Sequence, residues 1–148
     1  MSNFIIKKKI INHLTLKGEK KTGEKLFLKS IKKLQKESLK RTEDLIKLAL
    51  VNVSPLFKIQ TFVTKRKKKK KNVREVPFFL QNNNSRISLA IKFIIKAVGV
   101  KKSHGFCTQW SDEILANSQC SGDAVKMKNE LQKQVLLKKR FFMFFKWK

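Results

Sequence analysis

Apolar residues recur at helical spacing along most of this chain and at strand spacing over one stretch near its middle. Lys8 to Leu16 predicts a first helix, with Ile10, Ile11 and Leu14 on one side and Gly18 positioned to end it. From about Thr22 a second carries Leu26, Phe27, Ser30, Ile31 and Leu34. In RTEDLIKLALVNVSP a third is expected: Thr42 as N-cap, Glu43 and Asp44 at the positive end, and Pro55 closing it. Its expected apolar face is Leu45, Leu48, Ala49 and Val53.

After Pro55 the period drops to two. Phe57, Ile59, Thr61 and Val63 alternate with Lys58, Gln60 and Thr64, and Val73 to Leu80 supplies a second strand whose Pro77 suits a sheet edge. Helical spacing returns with Ser85 as a cap and Arg86 to Val98 carrying Ile87, Ala90, Ile91, Ile94, Ile95 and Val98, until Gly99. A fifth helix, about Phe106 to Asn117, presents Phe106, Cys107, Trp110, Ile114 and Leu115. A sixth opens at Gly122 or Asp123, carries Val125, Leu131 and Val135, and runs toward the aromatic RFFMFFKWK. The expected fold is mainly α: a single domain over residues 1–148, bundle-like with six helices, and a β-hairpin arm at about 56–80 inserted between helices three and four.

Charge changes the picture from a plain helical domain to a polyanion binder. The chain of 148 residues holds 36 basic and 10 acidic side chains, a net charge of +26, while 41% hydrophobic residues suffice for a core. Like charges at that density oppose compaction unless a polyanion neutralises them, and nucleic acid is the expected one because lysines occur throughout. The densest run, Lys65, Arg66, Lys67, Lys68, Lys69, Lys70 and Lys71, falls between the two strands. Lysine is a flexible point charge suited to phosphate, so the run is expected at the tip of an arm that neutralises phosphates, with a solvated loop or a nuclear import signal as the alternatives.

No other chemistry emerges from the spacing. GEKKTGEK has a P-loop's glycine spacing, but Glu24 and Lys25 stand where that loop needs Lys and then Ser or Thr. Cys107, Cys120 and His104 match no zinc pattern, and the scattered acids, mostly at helix starts or beside lysines, form no catalytic group. No enzyme activity, metal or cofactor is therefore expected. No stretch reaches the roughly 20 apolar residues of a membrane span. The apolar residues of MSNFIIKKKIINHL precede its lysines, the reverse of a signal peptide, and the arginines of a transit peptide are absent, so no import signal is expected.

The order of elements resembles the small-subunit ribosomal protein seven family of bacteria and organelles. INHLTLKGEKKTGEKLF is similar to that family's first helix and turn, ALVNVSPLFKI to its exit into the arm, and EVPFFL to the returning strand. SRISLAIKFIIKAV resembles its fourth helix, and WSDEILANSQCSGDAVKMKNEL its fifth-helix end, loop and sixth helix. The resemblance implies binding to the 3′ major domain of small-subunit ribosomal RNA and assembly of the subunit head beside neighbouring head proteins. It also implies a position near the exit transfer RNA and the messenger path. By position it implies RNA contacts at Lys20 and Lys21, Arg74, Arg86, Lys101 and Lys102, and Lys126 and Lys128, beside the lysine run. Against the family, the basic N-terminal extension is short, the arm tip is denser in lysine, and the C-terminal residues are more aromatic.

A DNA-binding or chromatin-type protein is the alternative class. It would need a base-reading helix face, and helix four offers only Arg86, Ser88 and Lys92 outward. Lys, Asn, Ile and Phe are plentiful and Tyr is absent, as an A+T-rich genome favours. With no import signal, an organelle-encoded mitochondrial protein is expected ahead of a plastid or bacterial one.

Overall fold

The computed structural model describes residues 3–64, 72–100 and 105–138. Among them, helices α1 (Asn3–Leu14), α2 (Lys20–Glu37) and α3 (Thr42–Val53) lead into strands β1 (Phe57–Thr64) and β2 (Asn72–Phe79). Helices α4 (Asn83–Val100), α5 (Phe106–Ser118) and α6 (Asp123–Leu137) follow. The described residues thus form the mainly helical fold expected, with the hairpin between the third and fourth helices. The lysine run, Lys101 and Lys102, His104 and the aromatic C-terminal residues lie outside the described residues.

α1 begins five residues before Lys8, because Ile6 extends the apolar row of Ile10 and Leu14 by one turn and is itself buried with Ile10 and Ile11. Its exit is a tight turn in which Lys17 and Gly18 take φ of 51° and 84°. Glycine reaches that left-handed region without a β-carbon clash. α2 buries Gly23, Phe27, Ser30 and Leu34, and the Ser30 hydroxyl is satisfied by donating to the Leu26 carbonyl at 2.9 Å. The Phe27 ring meets Trp110 of α5 edge-on, with centroids 5.9 Å apart.

α3 departs from expectation at its cap and its face. Arg41, rather than Thr42, holds the N-cap position, with no side-chain cap bond. The buried residues are Leu45, Ile46, Ala49, Leu50 and Val53, while Leu48 is 46% exposed. At about 100° per residue Leu48 lies about 130° from the middle of that face, so the buried stripe excludes it and takes in Ile46 and Leu50 instead. Pro55, itself buried, follows the helix end.

α4 starts three residues before Arg86 because Asn82, not Ser85, is its cap: the Asn82 carboxamide oxygen accepts the Asn84 N–H at 2.8 Å. The helix also continues through Gly99 to Val100 instead of ending there. Ala90, Ile91, Ile94, Ala97 and Val98 are buried at the centre of the molecule, against Trp110 and Ile114 of α5 and Ile46 and Leu50 of α3. This burial packs α4 against α5, α6, α3 and α1.

The hairpin pairs in register from Phe57 opposite Phe79 to Thr64 opposite Asn72, and its base is closed by the Leu80 N–H on the Leu56 carbonyl at 2.8 Å. Pro77, opposite Ile59, is buried, and an ion pair between Lys138 and Glu75 ties the end of α6 to β2. Farther out Phe62 and Val63 are 42% and 51% exposed. An isolated hairpin is marginal in water; here α6 packs on β1, and its end is tied to β2 at Glu75, opposite Thr61, about midway along the ladder.

Candidate nucleic-acid interface

Three lysines from three separate elements converge on one hollow of about 440 Å³: Lys9 of α1, Lys58 of β1 and Lys92 of α4. Asn84, Ser85 and Ser88, from the first turns of α4, line the same hollow, and among the described residues none that lines it is acidic. Lys9 is fixed there by donating to Asn84 Oδ1 at 2.7 Å and to the Asn84 carbonyl at 3.3 Å. The positive end of the α4 dipole adds to the three ammonium groups. Chemically the hollow offers lysine N–H donors, serine hydroxyls and unneutralised charge, which together suit a phosphate.

His13 stands one helical turn beyond Lys9 on α1. Its partly buried imidazole titrates below the ordinary 6.5, first because burial disfavours the charged ring, then because Lys92 and Lys9 repel it.

The residues expected by position are spread over the molecule rather than gathered. Lys20 and Lys21 are exposed at the start of α2, where Lys20 lies 3.9 Å from Glu24. Lys126 is exposed on α6 with its ammonium 2.8 Å from Asp123, and Lys128 Nζ donates to the Asn52 carbonyl at 2.7 Å. Lys128 is therefore a strut between α6 and the end of α3. Arg74 lies in β2 opposite Phe62.

The outward trio of helix four also divides. Ser88 and Lys92 line the lysine hollow, but Arg86 lines another, of about 440 Å³, with Ile6, Lys47, Leu50 and Val51. Its Nη1 lies 3.5 Å from Asn83 Oδ1 and its Nε is buried without a hydrogen-bond partner among the described residues. Spacing gives no hint of Lys9 and Lys58, because they stand on different elements far apart in the chain and only folding joins them. Lys92 is legible as an outward residue of an amphipathic helix.

Glu113 takes a role that its sequence context does not suggest. Expected as one of the scattered charge-pairing acids, it is fully buried, accepting the Ala124 N–H at 3.0 Å and the Asn117 amide at 3.1 Å. It caps α6 from α5, a structural task. Asn52 strengthens the same corner, its amide donating to the Asn117 and Ser118 carbonyls at 3.0 and 3.2 Å.

A basic helical body, a braced hairpin arm and an acid-free lysine hollow define a protein shaped for a folded polyanion. The chain belongs to the family described as ribosomal protein S7p/S5e, whose pattern it matches over residues 2–139. It is 30% identical over 139 residues to the small ribosomal subunit protein uS7c of Euglena gracilis, covering 94% of this chain and 85% of that one. It is 26% identical over 137 residues to uS7 of Pseudothermotoga lettingae, covering 93% and 84%, and 23% identical over 142 residues to uS7c of Pleurastrum terricola, covering 96% and 88%. The protein is thus a structural, non-enzymatic constituent of a small ribosomal subunit of organellar or bacterial type, among ribosomal RNA and neighbouring ribosomal proteins.

Proposed function

We propose that this chain binds the 3′ major domain of small-subunit ribosomal RNA, helps assemble the subunit head, and lies near the exit transfer RNA with its arm toward the messenger. The observation that carries this reading is the hollow of Lys9, Lys58 and Lys92, lined by no acid, on the framework of a ribosomal protein. Phosphate contacts dominate such grips, and they position the RNA without reading bases. Elsewhere on the chain, Lys20, Lys21, Arg74, Arg86, Lys101, Lys102, Lys126 and Lys128 extend the proposed contact set, and Lys65 to Lys71 supply the arm. Lys128 donates one N–H to Asn52 and keeps two for a phosphate.

The ribosome in question is organellar on this reading. A Lys-, Asn-, Ile- and Phe-rich composition supports an A+T-rich organelle genome. The relatives named uS7c favour a plastid, and the mitochondrial placement expected from the sequence rests on composition and the expected absence of an import signal. The test is binding of the protein to a 3′ major domain fragment, to an equally long fragment from elsewhere in the same RNA, and to duplex DNA. Preference for the 3′ fragment, weakened when Lys9, Lys58 and Lys92 are together changed to Gln, is the expected result. Equal affinity for all three would reduce the protein to an unselective polycation.

A further inference from the structure

We propose that RNA binding at the lysine hollow is proton-linked, with His13 as the group that takes up the proton when a phosphate arrives. The inference rests on the reading of that hollow as a phosphate site and adds a regulatory property to it. His13 follows Lys9 by one turn on α1, and Lys9 and Lys92, which both line the hollow, are also the two charges that repel the imidazole. An anion that enters the hollow therefore meets the same two lysines that act on the imidazole.

In the free protein those neighbours oppose a third positive charge. The charges that act on His13 are Lys92 from α4 and Lys9 from its own helix; α2, also packed on α1, contributes none among the described residues. An anion between Lys9 and Lys92 cancels much of their repulsion and adds its own attraction for the imidazolium. The repulsion that helps hold the ring's pKa below 6.5 is then relieved, and burial alone still opposes charging.

A group whose pKa is higher in the bound than in the free state binds protons on association, so affinity rises as pH falls through the window between the two values. Each unit of difference is worth about tenfold in affinity. For folding of the free protein the sign is opposite. The lowered His13 pKa costs stability as pH falls below 6.5, and the bound phosphate removes much of that cost. A ribosomal RNA–protein contact would then tighten under mild acidification instead of loosening.

Two measurements on the full chain test this. The first is the NMR titration of the His13 ring between about pH 5 and 8, with and without sulfate, which does not itself titrate there. Sulfate should raise the His13 pKa in the wild type and raise it less in Lys92→Gln. The second is affinity for a 3′ major domain fragment at about pH 7.5 and 5.5 at fixed salt, in wild type, His13→Gln and His104→Gln. The wild type and H104Q should gain about threefold to tenfold on acidification, beyond any gain in H13Q. An unmoved His13 pKa, or an H13Q variant with the wild-type pH profile, overturns the proposal. Failure of the fragment to bind at about pH 7.5, where His13 is neutral, overturns the RNA reading instead, and the sulfate titration then still decides the linkage.

Discussion

Gly122 stands where an added β-carbon would fall 2.1 Å from Asn117 Oδ1 and 2.9 Å from Glu113 Oε1. Those two side chains are fully buried and form the corner between α5 and α6, so neither can retreat into solvent. Gly122→Ala is therefore expected to cost about 1–3 kcal/mol, the usual range for overpacking, read as a shift in thermal or urea midpoint. A midpoint within error of the wild type would mean the corner relaxes freely. On α4, Ile91 and Ile94 are 2% and 3% exposed, and truncating either to Ala should cost about 2–5 kcal/mol. Lys92 on the opposite face is exposed, and Lys92→Gln should change stability by less than about 0.5 kcal/mol. Equal destabilisation at all three positions would show that the face is misassigned.

The hairpin is the element whose physics differs most from the rest. Its base is paired by Phe57 and Phe79, rings 5.7 Å apart, and β2 is tied to the end of α6 at Glu75 about midway along, whereas Thr64 and Asn72 stand opposite each other at the far end of the described ladder. Lys65 to Lys71 connect those two positions in the chain. If that run serves as the arm's tip, replacing its seven residues with Gly and Ser should leave the helical circular dichroism unchanged. Every phosphate that the substituted arm no longer neutralises should flatten the slope of log affinity against log salt by roughly 0.7–0.9. If about three of the seven touch phosphate, the slope becomes shallower by about 2 to 3 units. Affinity should fall similarly for unrelated RNA sequences, since phosphates carry no base information. An unchanged slope would make the run a solvated spacer.

At the scale of the whole molecule a charge of +26 acts against the core formed by α1 to α6. Surface lysines repel over a screening length of roughly 8 Å at physiological ionic strength. The free protein should therefore gain thermal stability as salt rises from low values. It should gain more with a bound RNA fragment, because a ligand of the folded state stabilises it by mass action. A melting temperature indifferent to both would show that burial of Ile91, Ile94, Trp110 and their neighbours outweighs the repulsion unaided.

Spacing alone determined the number, type and order of elements here, because a helix or strand with one buried face must repeat its apolar residues at that element's own period. The fourth helix and the hairpin are legible for that reason, and the charge balance alone points to a polyanion. Local signals are weaker where two residues compete for one role. Asn82 takes the cap expected of Ser85 because it stands about one turn earlier, where the helix starts. Leu48 yields its place to Ile46 and Leu50 because which side of α3 is covered depends on the helices packed against it. The lysine hollow and the Glu113 corner are beyond the sequence altogether. Lys9, Lys58 and Lys92 each read as an ordinary solvated charge, and Glu113 as an ordinary acid. Only the packing of α1, β1 and α4 gathers the lysines into one field, and only the fold of α5 onto α6 puts a carboxylate against an unpaired helix N–H. Periodicity is a property of neighbours along the chain, whereas a site is made of residues that are neighbours only in space.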